Sequence, residues 1–293
     1  MIIDQALSRA SAILTEGGIE APRAEARILL GHVIGASREE LLLGHKNDLA
    51  ESNFDELMRL ASRRAAREPI AYLTGEREFW GLSFGVTRDT LIPRPESETL
   101  IEAALVFARK AADGSPRILD IGTGSGCLLI SLLCELPGAE GVATDTNFAA
   151  LAVAKSNAAR HGVASRANFI AASWGGTLTP AFDIIVANPP YIAEGDRASL
   201  MPDVAAYEPA EALFAGISEM DAYRALAPDL ARLVAPGGRV IIELGEGLGS
   251  SVATLFAASD LEECGRREDL AGIERCAIFS RAKRPVMGAE ING

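Results

Sequence analysis

The tetrapeptide Asn188-Pro189-Pro190-Tyr191 closes the apolar run FDIIVA and puts a carboxamide, two proline carbonyls and a flat ring within four residues. Each proline fixes its own φ and restricts the residue before it, so the carbonyls point in set directions. Such a segment suits a planar nitrogen. The lone pair of an amide or an exocyclic amine is conjugated into a π-system, and its two N–H bonds are donors that need acceptors. The Asn188 side-chain oxygen and the Pro189 carbonyl supply that pair, and Tyr191 can cover the flat face of the group. Both acceptors gain strength as positive charge develops on nitrogen during attack on a sulfonium methyl, each charge-assisted bond being worth about 1.5 to 3 kcal/mol. Holding the reacting atoms in line supplies roughly 7 to 11 kcal/mol more, so no strong general base is required. Taken alone, the tetrapeptide reads as a turn that ends a strand; the chemical reading depends on what accompanies it.

Its companion is a strand, Ile118 to Ile121, followed by Gly122-Thr123-Gly124-Ser125-Gly126 and the apolar helix from Cys127 to Leu136. Glycines there let the turn tighten and the backbone approach a ligand at a helix N-terminus. A phosphate-binding P-loop would end in Gly-Lys-Ser/Thr, which is absent. A dinucleotide fingerprint would read G-x-G-x-x-G, whereas this loop has the shorter G-x-G-x-G spacing typical of methyltransferases. Asp145 ends GVATD about twenty residues on, where a carboxylate can accept hydrogen bonds from ribose hydroxyls. The plain alternatives are a strand-to-helix connection for the glycines and a helix cap for Asp145.

The elements that would position these residues follow from periodicity. Apolar positions recur at helical spacing from Asp4 to about Arg67, with breaks at Gly17-Gly18, near Pro22 and from Gly35 to Ser37, which predicts about four short helices over residues 1–75. Residues 76–92 bracket Gly81 and Gly85 with Phe79, Trp80, Leu82, Phe84 and Val86, as a β-hairpin linker does. A helix is expected from Ser97 to Ala112. The runs RILDIG, GVATD, NFIAA, FDIIVANPP and GGRVIIEL then alternate with helical segments over residues 93–285. That alternation predicts an α/β domain with a mainly parallel sheet covered on both faces. The prolines end the FDIIVA strand at the carboxyl edge, where ligands of such sheets bind. Residues 286–293 are expected to form a flexible tail.

Bulk composition narrows the function. The chain has 293 residues, 48% apolar and 23% charged, with a formal net charge of -12. That charge argues against a surface built to neutralise many phosphates, so no direct nucleic-acid partner is expected. The acidity lies late: positions 1–75 carry 9 basic and 11 acidic residues, the remainder 19 and 29. Arg59, Arg63, Arg64 and Arg67 read as a stripe along one helix face, either solvated or facing an acidic protein partner. Cys127, Cys134, Cys264 and Cys276 form no CxxC pair and read as reduced core residues, and no metal site is expected. His32, His45 and His161 carry no pattern for metal binding or nucleophilic catalysis. No apolar run reaches membrane-spanning length and MIIDQALSRA lacks the apolar segment of a secretion signal, so a cytoplasmic protein without a membrane partner is expected.

The stretches EPIAYLTGEREFWGL (68–82), LIPRPESE (91–98), ILDIGTGSGC (118–127), FDIIVANPPYI (182–192), YEPAEALFAG (207–216) and LVAPGGRVIIELG (233–245) together resemble the release-factor glutamine methyltransferases, the HemK or PrmC family. The resemblance spans nearly the whole chain. It implies a Rossmann-like class I methyltransferase domain behind a small helical substrate-recognition domain. It also implies transfer of a methyl group from S-adenosylmethionine to the N5 nitrogen of the glutamine in the Gly-Gly-Gln motif of class I peptide-chain release factors. Gly122, Thr123, Gly124, Ser125, Gly126 and Asp145 would then bind the cofactor, with Trp174 beside the adenine. Asn188 would border both cofactor and substrate, and Asn188 to Tyr191 would hold the substrate amide. This chain reads Ala172-Ser173-Trp174 where the family usually has Gly-Asp-Trp. It also departs from the usual pattern near Gly247-Leu248 and at Ile217-Ser218-Glu219-Met220. Arg94 and Glu96 read either as shapers of the active-site rim or as a surface ion pair. The competing readings are a ribosomal-protein glutamine methyltransferase, a DNA adenine N6-methyltransferase and a noncatalytic cofactor sensor.

Overall fold

The computed structural model of the protein describes residues 2–37, 40–41, 48–108 and 115–282. Helices come first: α1 (Ile3–Glu16), α2 (Pro22–Ile34), α3 (Glu51–Ala65) and the short α4 (Ile70–Thr74). Pro22 opens α2, where a missing N–H costs nothing, and Gly35 ends it in the left-handed region at φ 67°. Leu14, Leu29, Leu30, Leu57 and Leu60 close over one another in a core of their own. Full burial of each leucine is worth about 1.5 to 3 kcal/mol.

The four arginines do not form the expected stripe. Arg59 and Arg63 pair with Glu56 at 2.6 Å and Glu68 at 2.7 Å. Arg64 is one residue on, rotated about 100° around the helix, and therefore faces inward. It is 8% exposed and lies 2.6 Å from Glu25 and 3.8 Å from Asp203. Arg67 lies beyond the end of α3 and donates to the Gly18 carbonyl at 3.1 Å.

An antiparallel hairpin follows, β1 (Glu76–Phe79) against β2 (Leu82–Gly85), and its Phe79 and Phe84 enter the main core. A 3-10 turn at Pro95–Ser97 leads into α5 (Glu98–Ala108). From there the chain alternates through β3 (Arg117–Ile121), α6 (Cys127–Glu135), β4 (Glu140–Asp145), α7 (Phe148–Arg160), β5 (Ala167–Ala171) and β6 (Phe182–Ala187). A small excursion comprises β7 (Ile192–Ala193), α8 (Pro202–Tyr207), α9 (Ala210–Leu213) and β8 (Phe214–Gly216). Finally come α10 (Asp221–Leu233), β9 (Val234–Glu243), α11 (Gly249–Ala257), β10 (Leu261–Glu268) and β11 (Glu274–Arg281). The expected tail at 286–293, the last residues of the Ser97–Ala112 helix and His45 lie outside the described residues.

The main sheet has seven strands in the order β10-β11-β9-β6-β3-β4-β5. Pairs from β9 to β5 are parallel, and β11 adds antiparallel to β9, with β10 antiparallel to β11. From Ile184 on, side chains of β6 alternate between the two faces: Ile184 and Val186 join the core with α5 and α6, Ile185 and Ala187 that with α10 and α11, which Phe182 also joins from before an irregularity in the pairing with β9. Burial on both faces is why these strands read as unbroken apolar runs. Of the four cysteines, all free, only Cys276 is buried; Cys134 in the last turn of α6 and Cys264 on the edge strand β10 are exposed rather than core residues.

Candidate active site

After β5 the chain returns to the other side of β3, so β3 and β6 are the neighbours between which strand order reverses. A crevice opens at the carboxyl ends of strands at such a reversal. Register fixes what enters it. Ile121 pairs with Ala187 on one side and with Thr144 on the other, so Gly122, Asn188 and Asp145 leave three adjacent strands at one level. Asp145 in turn pairs with Ala171, which brings the Ala172-Ser173-Trp174 segment to the same edge. A cleft of about 630 Å³ opens there, lined by residues that include Gly122 to Ser125, Asp145, Trp174, Asn188, Pro189 and Pro190. Volumes of roughly 300 to 1,000 Å³ are usual for small-molecule sites.

The glycine loop is held from within. Gly124 N–H donates to Asp145 Oδ2 at 2.9 Å, and Asn147 N–H donates to Asp145 Oδ1 at 2.9 Å. Asp145 therefore braces the loop, while Asn147 caps α7 by accepting from the Ala149 and Ala150 amides. Gly126 needs to be glycine chiefly because its φ is 84°; an added Cβ would also stand 2.8 Å from Ile130 Cδ1 and 3.1 Å from Ala154 Cβ, so α6 and α7 side chains would have to give. Behind the loop, Thr123 Oγ1 donates to Asp120 Oδ2 at 2.6 Å. Burial pushes the Asp120 carboxyl up to about 7, against the pull of the Thr123 and Leu129 hydrogen bonds. Asp120 Oδ1 and Ser125 Oγ are buried without a hydrogen-bond partner. Asn157 staples the loop to the hairpin, donating to the Ser125 carbonyl at 2.8 Å and the Gly85 carbonyl at 3.0 Å.

Across the cleft, Asn188 Nδ2 donates to Ser97 Oγ at 3.2 Å, and Ser97 Oγ donates to Glu243 Oε2. Arg94 pairs at 2.5 Å with Glu208, not with Glu96, which is exposed. Glu208 is buried and also accepts from the Ile92 amide at 3.2 Å. The pair thus ties the segment before α5 to the end of α8 at the rim of the cleft, where Arg94 and Pro209 are both in the wall. Trp174 lines the cleft at φ 51°, a left-handed conformation that a bulky residue holds only where its surroundings impose it. Tyr191 is placed differently from its three neighbours. It is not among the cleft residues; its ring packs against Gly245, where an added Cβ would stand 3.0 Å from Tyr191 Cδ2. His161 Nε2 bonds the Ser83 carbonyl at 2.9 Å, well away from this wall.

Known proteins place the chain. A sequence model of the PrmC N-terminal domain matches residues 5–75, and one of the methyltransferase small domain matches residues 101–206. A release factor glutamine methyltransferase of Bradyrhizobium diazoefficiens is 41% identical over 97% of this chain and 96% of that relative. One of Rhodospirillum rubrum is 39% identical over 96% of this chain and 86% of the relative. This chain belongs to the release factor glutamine methyltransferase family. Among solved structures, the hMettl16 catalytic domain in complex with the MAT2A 3'UTR hairpin 6 covers 75% of the chain with a TM-score of 0.57, covers 81% of its own length and is 18% identical, a likeness of fold.

For this member of the release factor glutamine methyltransferase family, sequence reasoning missed Glu243, Glu208 and Ser97. Each lies in a stretch that carried the resemblance, but their partners are 91 to 146 residues away and no periodicity links them. The signal available was an acid inside an apolar strand, VIIELG, since a carboxylate is almost never fully buried unless paired. Among the described residues no group of His, Cys, Asp or Glu is placed to hold a metal ion, and no helix is long and apolar enough to cross a membrane.

Proposed function

We propose that the protein transfers a methyl group from S-adenosylmethionine to the side-chain amide nitrogen of the glutamine in the Gly-Gly-Gln motif of class I peptide-chain release factors. The observation that carries this reading is the sheet register that sets Asn188 and Pro189 beside Gly122 to Ser125 and Asp145 in one cleft. The residues present fit the cofactor. Gly122 and Gly124 turn backbone into the cleft with no side chain, and Ser125, which also lines it, carries a buried Oγ without a hydrogen-bond partner. Gly122 to Gly126 and Asp145 would hold it, Asp145 facing the ribose and Trp174 the adenine. S-adenosylmethionine, when bound, supplies an electrophilic sulfonium methyl group.

The chain's own groups do the rest. Asn188 Oδ1 and the Pro189 carbonyl accept the two N–H bonds of the substrate amide and orient its nitrogen. Pro189 and Pro190 keep those acceptors from turning away. As charge grows on nitrogen the two hydrogen bonds strengthen, and the surplus proton leaves to water, so no basic side chain is needed at the nitrogen. Tyr191, packed on Gly245 outside the cleft lining, supports the tetrapeptide from behind. We assign recognition of the protein substrate to residues 1–75. The Tyr207 hydroxyl donates to the Ala66 carbonyl at 2.8 Å and Arg64 faces Asp203, so that region is joined to α8 and the cleft rim.

The test is transfer of labelled methyl groups by the purified protein to a release factor, to its Gln-substituted variant, to a ribosomal protein and to DNA. Label on the release factor that is lost with the glutamine supports the reading. Label on DNA or the ribosomal protein alone overturns it.

A further inference from the structure

We infer that Ser97 and Glu243 form a buried polar relay that holds the Asn188 carboxamide in the one orientation presenting its oxygen to the substrate nitrogen. The inference rests on the amide transfer proposed above and adds two positioning residues to it.

The relay has a direction. Glu243 is 2% exposed and Ser97 3% exposed. With Glu243 ionised, Ser97 Oγ donates its single proton to Glu243 Oε2, which leaves only lone pairs for Asn188. The Asn188 NH2 group can answer a lone pair and its carbonyl oxygen cannot, so the amide turns its nitrogen toward Ser97 at 3.2 Å and toward the Glu243 carboxylate, with which it also hydrogen-bonds. The side-chain oxygen is thereby turned the other way, and among the described residues no protein donor meets it. Without the relay, the two ends of a carboxamide are nearly equal in shape, and rotation by half a turn exchanges acceptor for donor. A turned Asn188 would set N–H against the N–H of the substrate amide.

The fold explains why the three residues meet. Ala187 of β6 pairs with Ile242 of β9, so Asn188 and Glu243 are the next residues on adjacent strands. Ser97 ends the 3-10 turn that opens α5, and it lines the cleft between them. Relay and acceptor come from three separate segments, which a role confined to packing would not need, because an apolar group at position 243 would complete the sheet at lower cost.

The experiment measures kcat, KM, cofactor affinity and side-chain amide hydrogen exchange at Asn188 by NMR, in the wild type and in Ser97→Ala and Ser97→Thr. Ser97→Ala is expected to lower kcat about tenfold, the scale of one ordinary hydrogen bond. It should also speed exchange of the Asn188 amide hydrogens by a similar factor and leave cofactor affinity unchanged. Ser97→Thr, which keeps the hydroxyl, should restore both. Ser97→Ala with wild-type kcat and wild-type exchange overturns the relay, as does a kcat loss that Ser97→Thr fails to restore. A wild-type protein that methylates no release factor overturns the proposed substrate instead, and the exchange measurement then still decides whether Ser97 holds Asn188.

Discussion

Replacing Glu243 by glutamine should flatten the dependence of stability on pH, by an amount that follows from burial. Burial pushes the Glu243 carboxyl up from 4.5 to about 7, against the Ser97 hydrogen bond, the Arg275 charge and the Asn188 hydrogen bond, while Glu96 adds to the rise. Below about pH 4.5 the group is protonated in folded and unfolded chains alike and costs nothing. As pH rises from there to about 7, the unfolded chain gives up its proton first, so the folded state loses stability; above about 7 the loss is complete. At about 1.4 kcal/mol per pH unit the whole effect is about 3 kcal/mol. Glutamine keeps the shape and an acceptor for Ser97 but cannot ionise. Urea unfolding at a series of pH values should therefore show the wild type losing about 2 kcal/mol relative to Glu243→Gln between about pH 5 and about pH 8. Asp120, also pushed up to about 7 by burial, contributes the same slope to both proteins and cancels in the difference. Parallel stability curves for the two proteins would refute the reasoning, because they would mean that Glu243 is not held in a site hostile to its charge.

Two further outcomes follow from the loop. Asp145→Ala removes the acceptor of the Gly124 and Asn147 amides as well as the carboxylate proposed to face ribose. Calorimetric titration should show S-adenosylmethionine affinity falling by about tenfold or more, the scale of a hydrogen bond to a charged group. Gly126→Ala forces a side chain into φ 84° and 2.8 Å from Ile130 Cδ1. The left-handed backbone costs about 1 to 2 kcal/mol and the overpacking about 1 to 3 more, so scanning calorimetry should record a Tm lower by about 3 to 8 °C.

What could be read in the sequence was whatever leaves a local signature. Strands buried on both faces appear as apolar runs, and β3, β6 and β9 fall where RILDIG, FDIIVANPP and GGRVIIEL lie; β4 and the mostly exposed edge strand β5 fall at GVATD and NFIAA. The glycine loop and Asn-Pro-Pro-Tyr announce themselves because they break such runs at a sheet edge. Strand β10 reads LEECGRRE and gives no comparable signal, since its exposed and half-exposed positions are mostly charged. Arg64 was indistinguishable from Arg63 in composition, and only the turn of the helix buries one against Glu25 and leaves the other half-exposed beside Glu68. The partner of Arg94 was open for the same reason: Glu208 is distant in sequence, whereas Glu96 is two residues away. Tyr191 shares a motif with Asn188 yet packs on Gly245, because the chain turns after two prolines and no spacing rule records which way a ring then points.

The central claim is that Asn188 grips the nitrogen that receives the methyl group. Its most direct test is the single-turnover rate of methyl transfer to a release factor by Asn188→Ala, measured alongside S-adenosylmethionine affinity. The account predicts affinity within about threefold of the wild type and a rate lower by about a hundredfold or more, as when a preorganised hydrogen-bond partner of the transition state is removed. Transfer at the wild-type rate would contradict it.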